Sequence, residues 1–111
     1  MKLLTLLIEP FRLDAVRQQY EDAGVNGMTV SEASAVDGDH TEMYRGSAVN
    51  SGLDPLVRIE VLVMDEDVHG LISSALVAGR DEAHPCAGRI WVTPVDQVVR
   101  VRTGERGAEA V

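Results

Sequence analysis

The same order of patterns, a strand followed by a helix and a second strand, occurs twice along this chain. Residues 2–9 form an apolar run that ends at Pro10, and apolar residues then recur at helical spacing. Strict alternation over residues 56–64 precedes a second helical pattern, for which Asp65 is the predicted N-cap and Gly79 the predicted end. Two such units predict an α+β fold in which both helices cover one antiparallel sheet.

Three shorter patterns complete this prediction. Residues 27–36 are expected to form the second strand, residues 89–93 the fourth, and residues 98–102 a short extra C-terminal strand. This order is the ferredoxin-like βαββαβ sandwich. The sheet face away from the helices would leave apolar residues in water, so we expect a closed homo-oligomer that covers them. These residues are Ala33, Leu62, Met64 and Trp91.

Length and composition fit one domain over residues 1–111, with 45% hydrophobic residues. The predicted strands and helices leave two loops, at residues 37–55 and 80–88, and a polar tail at residues 103–111. A net charge of -8 disfavours nucleic acid as a partner. We expect no signal peptide and no membrane insertion, and the single Cys86 suits a reducing cytoplasm.

Four of the ten basic residues follow residue 88, within apolar, strand-like runs. They are Arg89, Arg100, Arg102 and Arg106. A local group of cations in an acidic protein would suit a small anionic ligand, but composition alone favours the alternative of a solvated strand face. Alternation along a strand would place Arg100 and Arg102 on one face, as a joint grip on a phosphate requires.

Five ordered segments make the chain resemble the PII signal-transduction proteins along essentially its whole length. They are residues 9–17, 27–32, 40–46 (His-Thr-Glu-Met-Tyr-Arg-Gly), 88–95 and 99–105 (Val-Arg-Val-Arg-Thr-Gly-Glu). The resemblance implies a homotrimer that is not an enzyme and that binds adenine nucleotides (ADP, AMP or ATP) in clefts between subunits. It also implies a flexible T-loop, here about residues 37–55, that contacts a transporter or enzyme.

The resemblance also implies roles for particular residues. Thr29 matches the position on the adenine side, and Leu62 one that packs against the ring. Gly88 and Arg89 end the phosphate-binding B-loop, about residues 80–89, and the neighbouring subunit supplies the arginine pair. That pair corresponds to Arg100 and Arg102. The T-loop positions expected to contact a partner are Tyr44, Arg45 and Val49.

The chain departs from the family pattern at both loops. The B-loop glycines are replaced by Ala83 and Cys86, and Pro85 removes a backbone donor, so polyphosphate binding should be weaker. Leu56 replaces the lysine that pairs with 2-oxoglutarate, and Asp37 is nearest to the glutamine that helps to hold Mg²⁺. Val49 replaces the tyrosine that is uridylylated, which excludes that modification.

These losses favour a PII-like regulator of carbon metabolism, with Mg²⁺ and bicarbonate as candidate further ligands. The alternative is a nitrogen-regulatory PII protein that senses ATP and 2-oxoglutarate and acts on an ammonium channel or a nitrogen-assimilation enzyme. Less favoured are a metal-tolerance trimer, a small enzyme of this fold, and a trimeric scaffold without nucleotide. No metal site is predicted, because a loop trio of Asp37, Asp39 and His40 is more often solvated. Cys86 beside His84 lacks an orienting third group for nucleophilic catalysis.

Overall fold

The computed structural model describes residues 1–36, 43–44, 47–48, 53–79 and 88–111. Six strands and two α-helices are present in this part of the chain. In chain order they are β1 (Lys2–Ile8), α1 (Leu13–Asp22), β2 (Thr29–Ala35), β3 (Met43–Tyr44), β4 (Ser47–Ala48), β5 (Asp54–Val63), α2 (Val68–Gly79) and β6 (Arg89–Pro94). Short 3₁₀ turns at Pro10–Arg12 and Asp65–Asp67 lead into the helices, and another covers Gly107–Ala110.

Four strands form one antiparallel sheet in the order β2-β5-β1-β6. The two strands that begin the strand–helix–strand units, β1 and β5, lie at its centre, and β2 and β6 form its edges. This order confirms the predicted α+β, ferredoxin-like fold. The separate pair of β3 and β4 was not predicted, because two-residue strands carry no readable period.

The core lies between one face of this sheet and the two helices. Alternate residues of β1 and β5 point into it, and α1 and α2 add Val16, Tyr20, Leu71 and Ala75. The six largest fully buried side chains are Tyr20, Leu4, Leu6, Ile59, Val16 and Val61. Burying each such apolar side chain stabilises the fold by roughly 1.5–3 kcal/mol. The alternation that predicted β5 therefore also identified its buried face.

Within the described ranges, no helix lies on the opposite sheet face, and we call it the open face. The register pairs Ala33 with Leu56, Leu3 with Leu62, and Thr5 with Trp91 across neighbouring strands. Leu62 and Trp91 are 38% and 39% exposed in the isolated chain. Met64 lies one residue beyond β5 and is half-buried.

Two local predictions were wrong. Asp65 is not a helix N-cap but the first residue of a 3₁₀ turn, and its carboxylate accepts a hydrogen bond of 2.8 Å from the Met1 ammonium group. That hydrogen bond lowers the pKa of Asp65. Residues 98–102 do not form an extra C-terminal strand, because the chain turns at residues 101–103 after the single bridge between Val99 and Arg106.

Element boundaries shifted by a few residues. Strand β5 begins at Asp54, so the predicted loop over residues 37–55 ends two residues too late. The first helix ends as predicted, with Gly24 just beyond it at a φ of 89° that favours glycine. The predicted B-loop lies outside the described residues from 80 to 87.

Tyr20 provides a test of how the helices are joined. Its buried hydroxyl donates a hydrogen bond of 3.0 Å to the Leu71 carbonyl oxygen, which links α1 to α2. We expect Tyr20→Phe to lower the free energy of unfolding by about 1 kcal/mol at pH 7, measured by urea denaturation.

The effect of Tyr20→Phe on the free energy of unfolding should also depend on pH. Burial raises the pKa of Tyr20, so only the unfolded wild-type chain ionises this phenol near pH ~10. The stabilisation is complete below that pH and is lost as the pH rises above it. The stability difference between wild type and Tyr20→Phe should therefore narrow at alkaline pH, and a constant difference would contradict the assignment.

Candidate functional site

A cavity of about 1000 Å³ opens beside the ends of β5 and β2. Its walls are the connection after α1 (residues 23–28), the last residues of β5, the first turns of α2 and the C-terminal segment. Three of the predicted site residues line it, namely Thr29, Leu62 and Arg100. The structure therefore brings together residues that are far apart in the sequence.

The sheet register places Thr29 and Leu62 side by side. Thr29 begins β2 directly opposite Glu60 of β5, and Leu62 follows Glu60 on the same face of that strand. Both side chains lie on the open face, where Leu62 is 38% exposed. A hydroxyl beside an apolar side chain suits a flat, partly polar ring.

Arg100 is held by a small loop near the end of the chain. Its backbone N–H donates to Glu105 O at 2.9 Å, and its carbonyl oxygen accepts from Gly104 N at 2.8 Å. Gly104 has a φ of 73°, which favours glycine at this turn. The Arg100 side chain donates from Nε to the Ala110 carbonyl oxygen at 3.3 Å. Arg100 is thus fixed at both its backbone and its side chain.

Arg102 is placed differently from Arg100. The argument that both arginines share one strand face was wrong, because residues 101–103 form a turn rather than a strand. Arg102 is exposed in that turn and does not line the cavity. If Arg100 and Arg102 bind one phosphate together, the turn and not strand alternation must bring their side chains to it.

Gly88 and Arg89 lie at the far edge of the sheet. Arg89 begins β6, which pairs with β1, whereas Thr29 begins β2 at the opposite edge. Three strand spacings of about 4.8 Å separate the two edges, or roughly 14 Å. Neither Gly88 nor Arg89 lines the cavity. A single protomer does not bring the whole predicted set around one small ligand.

The charge around the cavity is mixed. Glu60, Glu66 and Asp67 line it together with Arg100, the one cation among its described lining residues. Carboxylates at this density disfavour a polyphosphate inside the cavity itself. They can accept hydrogen bonds from amino or hydroxyl groups, so the cavity suits the neutral part of a nucleotide better than its phosphates.

Sequence reasoning missed two contributors to this site. Glu60 was detectable, because it is a carboxylate in the second half of β5, where its neighbours from Ile59 to Val63 are apolar. The tail residues Ala108, Ala110 and Val111 carry no such signal, because small apolar residues in a polar tail indicate nothing about where the tail packs.

The predicted T-loop contacts are mostly outside the described residues. Arg45, Val49 and the trio Asp37, Asp39 and His40 fall there, and Tyr44 is described only as a residue of β3. Within the described ranges, no three His, Cys, Asp or Glu side chains form a group that could hold a metal ion. In the same ranges, no helix is long and apolar enough to cross a membrane.

The fold and the cavity define a small α+β domain of the ferredoxin-like class with a cleft at its sheet edge. The sequence profile of the family described as Nitrogen regulatory protein P-II matches residues 1–105. Proteins with that name from Azospirillum brasilense, Cereibacter sphaeroides and Mesorhizobium japonicum are 40%, 38% and 39% identical to the chain, in each case over the full length of both proteins. The chain belongs to the P-II family of signal-transduction proteins.

Thr29 allows a test of the cavity as the base-binding part of the site. Thr29→Val keeps the side-chain shape but removes the hydroxyl, so we expect ADP affinity to fall about three- to ten-fold. Calorimetric titration would measure the change. The matched control is Ser31→Ala, on the same face of β2 but outside the cavity lining, and an equal loss in both variants would contradict the assignment.

Proposed function

We propose that this protein is a non-enzymatic P-II regulator that binds adenine nucleotides in clefts between the subunits of a homotrimer. The observation that carries the proposal is the division of the predicted site between two sheet edges. Thr29, Leu62 and Arg100 line the cavity near β2, whereas Gly88 and Arg89 lie at the β6 edge. A neighbouring subunit can supply the missing half.

The open face supports this association. Leu62 and Trp91 are exposed there in a chain whose charge is otherwise strongly acidic. Packing these faces together around a closed symmetry axis would remove their apolar surface from water. It would also bring the β6 edge of one subunit towards the cavity of the next.

The nucleotide state would be passed on through the T-loop. In this proposal, the bound adenylate shifts the conformations of residues 37–55 between forms that do and do not bind a cytoplasmic partner, a transporter or an enzyme. Tyr44, Arg45 and Val49 are its proposed contact residues. Mg²⁺ and bicarbonate are candidate co-ligands.

Nitrogen control is the regulatory role that the relatives favour. The similar proteins are named nitrogen regulatory, which supports the alternative of the sequence analysis more than its carbon-linked main interpretation. The carbon-linked role is the second candidate, favoured by one observation. Leu56, at the position of the family's 2-oxoglutarate-binding lysine, is 6% exposed and pairs with Ala33 on the open face.

Replacing Arg100 and Arg102 together by alanine tests the nucleotide site. We expect the variant to lose binding of ADP, ATP and AMP in calorimetry, because both proposed phosphate-side cations are removed, while remaining trimeric by light scattering. Arg17→Ala, on the exposed side of α1, is the control for arginine removal. Titration heats equal to wild type would refute the site.

Mixed trimers make the same test specific for clefts between subunits. One variant carries Arg89→Ala, and the other carries both Arg100→Ala and Arg102→Ala. We expect a trimer made of either variant alone not to bind ADP. In a mixed trimer, one cleft of the three contains Arg89 from one subunit and Arg100 and Arg102 from its neighbour, so ADP binding at that cleft should return. Absence of any recovery would place all three arginines of a site in one subunit.

A titration with 2-oxoglutarate in the presence of MgATP separates the two regulatory roles. We expect no saturable binding by the wild type, because a leucine replaces a cation at an anion site. Leu56→Lys should gain binding, whereas Leu53→Lys, at an exposed apolar position outside β5, should not. Micromolar affinity of the wild type would show that the leucine does not exclude this ligand.

A further inference from the structure

The C-terminal segment, residues 107–111, packs against the protein although it consists of small residues, one valine and a single glutamate. Ala110 is 6% exposed, and the 3₁₀ turn Gly107–Ala110 lies against the cavity. Gly107, with a φ of 65°, begins the segment and donates a hydrogen bond of 3.0 Å from its N–H to Val98 O. The segment is therefore held at its start and at its buried alanine.

The buried end of this segment holds the side chain of Arg100. The Ala110 carbonyl oxygen accepts the Nε–H of Arg100 at 3.3 Å. A carbonyl is neutral, so it orients the guanidinium without cancelling its charge. A guanidinium has five N–H donors, and this contact uses one of them. Among the described residues, no acidic side chain forms an ion pair with Arg100.

The side chain of Arg102, unlike that of Arg100, is not held by the tail. It lies in the exposed turn at residues 101–103, and its side chain has no hydrogen bond within the described ranges. Immobilising a free arginine at a binding site costs conformational entropy, whereas an arginine already held in place avoids much of that cost. The contribution of Arg100 to anion binding should therefore depend on the tail, whereas that of Arg102 should not.

We propose that residues 107–111 are a positioning element that orients Arg100 for the anionic group of the bound nucleotide, with the Ala110 carbonyl as the positioning group. This inference rests on the proposed nucleotide site. It assigns a function to a segment for which the sequence predicted only a polar tail.

Ala110→Gln and Glu109→Gln form a matched pair for the test. Both place a glutamine in the tail, but Ala110 is buried, whereas Glu109 is exposed and lies outside the cavity lining. We expect Ala110→Gln to displace the tail and to weaken ADP and ATP binding by about three- to ten-fold, with Glu109→Gln close to wild type. Equal affinities in the two variants would overturn the proposal.

Two arginine backgrounds show whether the tail acts through Arg100. The loss of nucleotide affinity caused by Ala110→Gln should vanish when Arg100→Ala is also present. It should persist at full size when Arg102→Ala is also present. An undiminished effect in Arg100→Ala would mean that the tail stabilises the fold generally. If Ala110→Gln fails to assemble, Gly107→Ala replaces it, because that substitution meets no atom within 4 Å yet disfavours the φ of 65°.

An NMR measurement without nucleotide keeps this inference separate from the proposed function. The Nε–H signal of Arg100 should exchange slowly with water in wild type and in Glu109→Gln, and rapidly in Ala110→Gln. An unchanged signal would overturn the tail contact even if nucleotide binds. Failure of wild type to bind ADP, ATP or AMP with the signal behaving as expected would instead refute the proposed function.

Discussion

The pairing of β1 with β5 at the centre of the sheet is the constraint on which the rest of this structure depends. Every residue of β1 has a partner in β5, from Lys2 with Val63 to Ile8 with Val57. This register sends one set of alternate side chains under the helices and the other set to the open face. A slip of one residue would exchange the two sets and would expose the core.

The same register explains why the proposed site is divided. With β1 and β5 in the middle, Thr29 and Arg89 begin strands at opposite edges of the sheet. Carboxylates line the cavity near Thr29, whereas an arginine stands at the far edge. The charge and the geometry thus agree with the proposed arrangement, in which one subunit would hold the neutral part of a nucleotide and a second would share its phosphates.

Family membership and local chemistry bear on different questions. Full-length identity to nitrogen regulatory proteins fixes the class of regulator, because identity of 38–40% across the whole chain preserves the fold and the order of its motifs. The ligand set depends on a few side chains, such as the leucine at position 56. The orientation of Arg100 depends on neither, because its side chain is held by the Ala110 backbone carbonyl, whose position depends on how the tail packs.

The sequence by itself determined the layers, the buried face of β5 and the family, because these follow from periodicity and from motifs spread over the whole chain. It placed Ala33, Leu62 and Trp91 on the open face, since period 2 fixes side-chain direction wherever a strand forms. It failed at residues 98–102, where the alternation of valine and arginine resembles a strand but only one bridge forms. Tertiary structure alone decided three features: that turn, the hydrogen bond between Asp65 and the N-terminal ammonium group, and the position in which the tail packs. The Asp65 contact joins residues 64 positions apart in the sequence, whereas the turn and the tail depend on hydrogen bonds within residues 98–111 that leave no periodic pattern.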